Sequence, residues 1–185
     1  MAKQYSEIDD ALRAYILKQR LFFTASATSA SRVNVSPRST DCFRILDRNA
    51  VVYLDRTGSG NETAAHLKAD GRLTIMFCSF EGPPRILRLY GRGAVMSRAS
   101  AKYRSLLSEY FGNDEPLGTR QIVTLAVDLV QTSCGFGVPL FDYKGERDAL
   151  DRWAQSKGPE GLDAYRREKN SKSIDGLPTG LFDEA

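Results

Sequence analysis

The sequence predicts a mainly β fold in which an antiparallel sheet closes into a barrel, with an N-terminal helix and a C-terminal helical extension. Short segments with strand character follow one another from Leu21 to Gln131, and most are joined by short polar turns. A parallel, doubly wound sheet would need a helix at nearly every crossover, and those helices are missing. We therefore expect a barrel domain at residues 1–131, and a helical extension and tail packed on it at residues 132–185.

The composition is that of an ordinary globular protein, with 42% hydrophobic and 26% charged residues among 185. The net charge is +3 with the two signs mixed along the chain, so we expect no nucleic-acid binding. No apolar run approaches the ~20 residues that cross a bilayer, and the N-terminus lacks a signal peptide's apolar centre, so no membrane association is expected. One histidine and three cysteines without metal-type spacing predict no metal site, and free thiols in a cytoplasmic protein.

The first third of the chain predicts an amphipathic helix and then strands, at Ser6–Arg20, Leu21–Ala27, Arg32–Arg38, Phe43–Leu46 and Ala50–Leu54. In the second of these strands (RVNVSPR), Arg32, Asn34 and Ser36 alternate with two valines. This pattern places Val33 and Val35 on a buried face. Pro37 is expected to end the strand, because proline cannot donate to a ladder.

A polar loop, Arg56–Gly60 (RTGSG), joins the strand at Ala50–Leu54 to a helix over Asn61–Leu67. Backbone N–H groups and the helix dipole converge at such a junction, which favours phosphate binding. However, Ser59 with Glu62 three residues later is also an ordinary capping box, or Asn61 caps the helix, and Glu62 would repel a phosphate. From these residues alone, a ligand site and a plain turn are equal alternatives.

The rest of the chain predicts strands and helices at Arg72–Phe80, Arg85–Ser97, Ser100–Phe111, Gln121–Gln131, Glu146–Lys157 and Pro159–Asn170. Gly91 and Gly93 predict a bulge or sharp bend in the longest strand. In the extension, Trp153 is expected to anchor a helix rather than to cover a ligand pocket. Cys134 is expected to be an inert loop cysteine rather than a reactive thiol.

The order of these segments, with RVNVSPR, AVVYLD, RLTIMFCSF and RILRLYGRGAVM, resembles the pyridoxamine 5′-phosphate oxidase-like group, the FMN-binding split β-barrels. The similarity covers roughly Leu21 to Gln131, and the later segment resembles the C-terminal extension of one branch of the group. The resemblance implies a homodimer with FMN bound at the subunit interface. It also implies an FMN-dependent oxidoreductase that acts on an unknown small-molecule substrate.

The resemblance also implies which residues surround the flavin. In the family, the strand matching RVNVSPR lies beside the flavin ring and ribityl chain, and the end of AVVYLD with the following loop forms the phosphate region. The cofactor-binding residues expected here are Arg32, Val33, Asn34, Val35, Ser36, Arg38, Leu54, Asp55, Arg56, Thr57, Ser59, Asn61 and Thr63. No catalytic residue can be assigned, because flavin hydride transfer need not leave a sequence signature.

The chain departs from the family pattern in two places. The family's loop carries an adjacent Arg-Lys pair that grips the phosphate, whereas this chain has Glu62-Thr63 there, which leaves Arg56 or Arg38 as substitutes. A true pyridoxamine phosphate oxidase also has an Arg-x-His element near its C-terminus, and no histidine follows His66 here, so that reaction is not expected. Two alternatives stay open: a flavin, deazaflavin or haem storage protein without turnover, and a structural or interaction protein without a ligand.

Overall fold

One curled antiparallel sheet carries the architecture in a computed structural model that describes residues 2–183. Its strands are β1 (Lys3–Tyr5), β2 (Leu21–Ser26), β3 (Asn34–Ser39), β4 (Phe43–Ile45), β5 (Ala50–Arg56), β6 (Arg72–Cys78), β7 (Ile86–Ser97) and β8 (Thr119–Ser133). The helices are α1 (Asp10–Leu17), α2 (Glu62–Ala69), α3 (Ala101–Phe111) and α4 (Ala149–Lys169). The predicted mainly β barrel with helices at both ends is confirmed.

The strands follow the order β3-β2-β6-β7-β8-β5-β4, and β1 also pairs with β8. The long strand β8 pairs with β7 on one side, while β5 and then β1 share its other side. All pairs are antiparallel, as short connections require. Strands β3 and β4 lie at the two ends of the order, so the barrel is split.

An aromatic cluster fills the inside of the sheet. Phe22 lies with its ring centroid 5.2 Å from Phe43, 5.5 Å from Tyr53 and 5.9 Å from Phe77. Helix α1 covers this core with Leu12 and Ile16, which are both buried. The helix is shorter than predicted, because β1 precedes it and the carboxylate of Asp9 caps it by accepting the Leu12 N–H at 2.7 Å.

Two predictions about β3 are wrong. Val33 and Val35 are 71% and 60% exposed, whereas Asn34, Ser36 and Arg38 are only partly exposed. Period-two alternation shows which residues share a face, but not which face meets the core. The strand also continues through Pro37 to Ser39, because β3 is an edge strand that pairs on one side only and can include a residue without an N–H.

The extension packs along the barrel through α4, whose Ala154 and Leu162 are buried. The backbone leaves helical geometry at Gly158, so two helical pieces meet there, as Gly158-Pro159 predicts. The rings of Trp153 and Tyr165 meet across this break at 5.1 Å. Within residues 2–183, no helix combines the length and apolar character that crossing a bilayer requires.

The predicted bulge in the longest strand is present. The pairing of β7 with β8 shifts between Tyr90 and Gly91, so the sheet bends there. A Cβ atom on Gly91 would lie 1.9 Å from the carbonyl oxygen of Ala126. Because that contact is with backbone in the middle of the sheet, only glycine fits.

We expect Gly91→Ala to lower the free energy of unfolding by about 2 kcal/mol or more, since overpacking a dense region costs roughly 1–3 kcal/mol. Gly137→Ala is the matched control, because no atom of residues 2–183 beyond Gly137 and its chain neighbours lies within 4 Å of the added methyl group. Urea unfolding followed by circular dichroism measures both variants. Equal midpoints for the two would contradict the packing argument.

Candidate functional site

An open cleft of about 790 Å³ lies where β3, the β5–α2 loop and the C-terminal segment meet. Its size falls within the roughly 300–1,000 Å³ of small-molecule sites. The lining residues come from distant parts of the sequence: Arg32, Val33, Asn34, Ser36, Pro37, Arg38, Arg56, Gly58, Ser59, Gly60, Asn61, Glu62, Thr63, Arg120, Lys169, Lys172, Ser173 and Ile174.

Most of the site residues expected from the sequence meet in this cleft, namely Arg32, Val33, Asn34, Ser36, Arg38, Arg56, Ser59, Asn61 and Thr63. Four others do not line it. Val35 is exposed outside it, and Leu54 packs in a core cluster against α3. Asp55 and Thr57 are buried. The carboxylate of Asp55 forms ion pairs with two arginines, and the hydroxyl of Thr57 donates to the Gly118 carbonyl at 2.7 Å.

The carboxylate of Asp55 is the centre of a buried polar network. Its Oδ2 accepts from Arg120 Nε at 2.8 Å and from Gln121 Nε2 at 2.7 Å. Its Oδ1 lies 2.7 Å from Nη1 of Arg38, across on β3. The side chains of Asp55 and Arg120 are 2% and 4% exposed, so these charges are almost removed from water.

A break in the ladder explains how two consecutive residues reach one carboxylate. In the pairing of β5 with β8, Asp55 faces Gln121 and Arg56 faces Thr119, so Arg120 has no partner. Neighbouring side chains in a regular strand point to opposite faces. The bulge turns Arg120 toward the same side as Gln121, because an extra residue re-aims the strand locally.

Burial raises the pKa of the Asp55 carboxyl, but the charges of Arg120 and Arg38 outweigh that effect and lower it overall. Burial also opposes the charge on Arg38, yet the neighbouring Asp55 raises the pKa of this guanidinium. The carboxylate of Asp55 is therefore charged, and because arginine stays protonated in proteins, one carboxylate serves two guanidiniums. One positive charge remains uncompensated, and Arg38 Nε is buried without a hydrogen-bond partner within residues 2–183.

Asn170, at the end of α4, joins the extension to this network. Its side chain donates to the Gly58 carbonyl at 3.0 Å and accepts from Arg120 Nη1 at 2.9 Å. The same Arg120 nitrogen donates to the Gly60 carbonyl at 2.8 Å. Asn170 is fully buried, so the β5–α2 loop and the extension are fixed to each other.

The other charged side chains of the cleft divide into paired and unpaired groups. Arg32 is paired with Asp175, and Arg56 with Asp151. The Nζ of Lys169 lies 2.8 Å from Oε1 of its neighbour Glu168, and both side chains are about half exposed. Lys172 has no carboxylate within 4 Å in the part of the chain that the structure describes.

The capping box considered for the β5–α2 loop does not form. Both carboxylate oxygens of Glu62 accept the backbone N–H of Ile174 at 3.1 Å, so this side chain is bound to the C-terminal segment. Asn61 occupies the cap position, but its side chain makes no cap hydrogen bond and accepts from Gln121 Nε2 at 2.8 Å instead. The first turn of α2 therefore has no side-chain cap at the edge of the cleft.

Sequence reasoning missed Arg120, Asn170, Lys169 and Lys172. Arg120 directly precedes the predicted strand at Gln121–Gln131. Lys169 and Asn170 end the predicted helix at Pro159–Asn170, and Lys172 lies in the tail that follows it. A charged helix end and a polar tail gave no sign of which side chains line the cleft. Residues 2–183 contain no cluster of three or more His, Cys, Asp or Glu side chains that could hold a metal ion.

We expect Asp55→Asn to lower the free energy of unfolding by about 3–5 kcal/mol, because it leaves two buried guanidiniums without their counter-charge. Asp151→Asn is the matched control. It also removes an aspartate from an arginine pair, but its side chain is 50% exposed, so we expect less than about 1 kcal/mol. Chemical denaturation measures both, and similar losses would contradict a central role for Asp55.

The same variant changes the pH dependence of stability. The unfolded chain protonates Asp55 near pH ~4, while the folded chain does so at lower pH because its pKa is lowered. The stabilisation is therefore complete above about pH 4 and is lost as the pH falls through the folded pKa. Asp55→Asn should show a flatter dependence of unfolding free energy on pH below about 4 than the unaltered chain.

Comparisons with known proteins agree with the fold and the sequence resemblance. The family model for pyridoxamine 5′-phosphate oxidase matches residues 8–134. The pyridoxamine 5′-phosphate oxidase family protein ustO of Aspergillus flavus is 38% identical over 190 residues, covering 94% of this chain and 76% of its own.

Two solved structures share the fold at low identity. The HupZ protein of Group A Streptococcus has a TM-score of 0.53 at 18% identity, covering 66% of this chain and 91% of its own. A pyridoxamine 5′-phosphate oxidase-related, FMN binding protein of Nostoc punctiforme has a TM-score of 0.50 at 15% identity, covering 70% and 85%. The match of the family model and the identity to the Aspergillus protein show that this chain belongs to the pyridoxamine 5′-phosphate oxidase family, with its split-barrel fold.

Proposed function

We propose that the cleft binds FMN and that the chain is an FMN-dependent oxidoreductase. The uncompensated positive charge at Arg38, Asp55 and Arg120 carries this proposal. Two buried guanidiniums that share one carboxylate leave an excess positive charge that is costly to bury, so an anion bound beside Arg38 would relieve that cost. A phosphate monoester suits this position, because it brings about −1.5 to −2 charge and strong acceptor oxygens.

Other features of the cleft fit the same ligand. The uncapped first turn of α2 offers backbone N–H groups at the edge of the cleft, where helix termini favour anions. Asn34 and Ser36 line the cleft from β3 and can hydrogen-bond a flavin ring, next to the apolar side chain of Val33. The Nostoc relative is described as FMN binding. Bound FMN would supply the hydride or electron transfer, and these residues would hold and orient it.

The contacts favour Arg38 over Arg56 as the arginine that meets the phosphate. Arg56 is already neutralised by Asp151, and its Nη2 also donates to the Leu117 carbonyl at 3.2 Å. Within residues 2–183, Arg38 is paired with Asp55 alone and shares that carboxylate with Arg120, whereas Arg56 has an aspartate to itself. Of these two arginines, Arg38 on β3 is therefore the one that we expect to contact the phosphate in place of the family's Arg-Lys pair.

A homodimer is also part of this proposal, and the exposed face of β3 supports it. Val33, Val35 and Ile174 are each at least 60% exposed, beside or on the wall of the cleft. An edge strand with exposed apolar side chains favours association with another chain. A second copy on this face would cover the valines and border the bound flavin.

Purified protein is expected to be yellow, or to take up FMN on reconstitution. Arg38→Gln should weaken FMN binding by about 1.5–3 kcal/mol, the range for a charge-assisted hydrogen bond. The Arg38→Lys and Arg56→Ala variants should lose less binding free energy. Quenching of flavin fluorescence during titration measures these affinities. A colourless protein that takes up no FMN would contradict the proposal.

Turnover is tested separately on the loaded protein. Anaerobic bleaching of the flavin by NADH or NADPH, with reoxidation by an added acceptor, supports an oxidoreductase. A flavin that stays oxidised with both donors favours storage without turnover.

We expect Val35→Asp to shift the protein from dimer to monomer, because it places a carboxylate in the apolar face. Leu17→Asp is the matched control, since Leu17 is 62% exposed on α1 and does not line the cleft. Size-exclusion chromatography with light scattering measures the mass of each. A monomeric unaltered chain, or a Val35→Asp variant that remains dimeric, would contradict an interface on this face.

A further inference from the structure

The extension brings two lysines to a cleft whose own loop has no cation pair. Lys169 ends α4 and Lys172 follows Asn170 by two residues, and both line the cleft. We propose that Lys169 and Lys172 bind the phosphate of FMN together with Arg38, so that the C-terminal extension, not the β5–α2 loop, supplies the missing pair of cations. This inference rests on the proposed binding of FMN.

The charge balance of the cleft favours the lysines over the remaining arginines. Arg32 and Arg56 each have their own aspartate, and Arg120 is held by Asp55, Gly60 and Asn170. Lys169 is paired with Glu168, but both side chains are more than half exposed, whereas Arg56 is 19% exposed in its pair, so the lysine pair is the weaker of the two. Lys172 has no acidic partner within residues 2–183, so its charge is available to an anion at little electrostatic cost.

The backbone that carries the lysines is held in place although their side chains are exposed. Asn170, between them in sequence, is fully buried with its side chain bound to Gly58 and Arg120. The following turn closes through the Leu177 N–H, which donates to Ser173 Oγ at 3.0 Å. A fixed backbone with flexible side chains is well suited to a lysine pair, because an ammonium group has three rotatable donors.

Glu62, the one acidic residue that lines the cleft within residues 2–183, supports the same arrangement. Glu62 stands where the family has a cation, and its carboxylate accepts the Ile174 N–H from the C-terminal segment. The backbone of Asp175 is adjacent, and its side chain accepts from the Arg32 N–H at 2.8 Å. The acid at the loop position therefore holds the segment that carries the lysines, instead of contacting the phosphate.

The test compares FMN with riboflavin, which has the same ring system and no phosphate. We expect the Lys169→Gln, Lys172→Gln double variant to bind FMN about 10-fold more weakly or worse, with riboflavin affinity unchanged. The Lys169→Arg, Lys172→Arg double variant should restore part of the preference for FMN. The control is Lys102→Gln, an exposed lysine on α3 outside the cleft, which should change neither affinity.

The outcomes separate this inference from the proposal beneath it. A double Gln variant that keeps the full preference for FMN over riboflavin would overturn the role of the lysines and leave flavin binding intact. An unaltered chain that binds neither flavin would overturn the proposed function, and this inference with it. Unfolding midpoints of the variants, measured in parallel, show whether a lost affinity comes from lost structure.

Discussion

The buried carboxylate of Asp55 is the contact on which the rest of this structure depends. It holds β3 through Arg38 and β8 through Arg120 and Gln121, so the edge strand and the centre of the sheet meet at one group. A carboxylate so far from water persists only when its charge is compensated. Here it is overcompensated, because one carboxylate serves two guanidiniums. The same contact therefore stabilises the split barrel and leaves an excess positive charge on the wall of the cleft.

Local patterns predicted the parts of the molecule that local physics controls. Apolar spacing located most of the strands and helices, and glycines in the longest strand predicted the bulge at Gly91. Alternation in RVNVSPR correctly placed Asn34 and Ser36 on one side of β3. It wrongly assigned the valines to the core, because it assumed that an apolar face is always buried. That assumption fails on an edge strand beside a polar cleft. The family resemblance, rather than any single motif, then directed attention to residues that do line the cleft.

The rest of the site has no local signature. Arg120 reaches Asp55 because this residue of β8 has no pairing partner on β5. The two residues are 65 positions apart in sequence, and the residues around the bulge do not indicate it. Asn170 meets Gly58 across 112 positions of sequence. Such contacts are made by the sheet topology and the path of α4, and a polar residue at the end of a charged helix predicts neither. Glu62 and Ser59 have the spacing of a capping box, yet Glu62 accepts the Ile174 N–H of the C-terminal segment instead.

The role of the extension follows from these distant contacts. Arg120 Nη1 has two acceptors, the Gly60 carbonyl and the Asn170 side chain, and Asn170 belongs to the extension. Without that segment, a buried guanidinium would lose one of its acceptors, and the β5–α2 loop would lose the amide that holds Gly58. A buried donor without its acceptor costs about 1–3 kcal/mol. The barrel and the extension are therefore joined at the cleft by buried polar contacts, and a chain that has no cation pair in its loop gains Lys169 and Lys172 on the segment that these contacts fix.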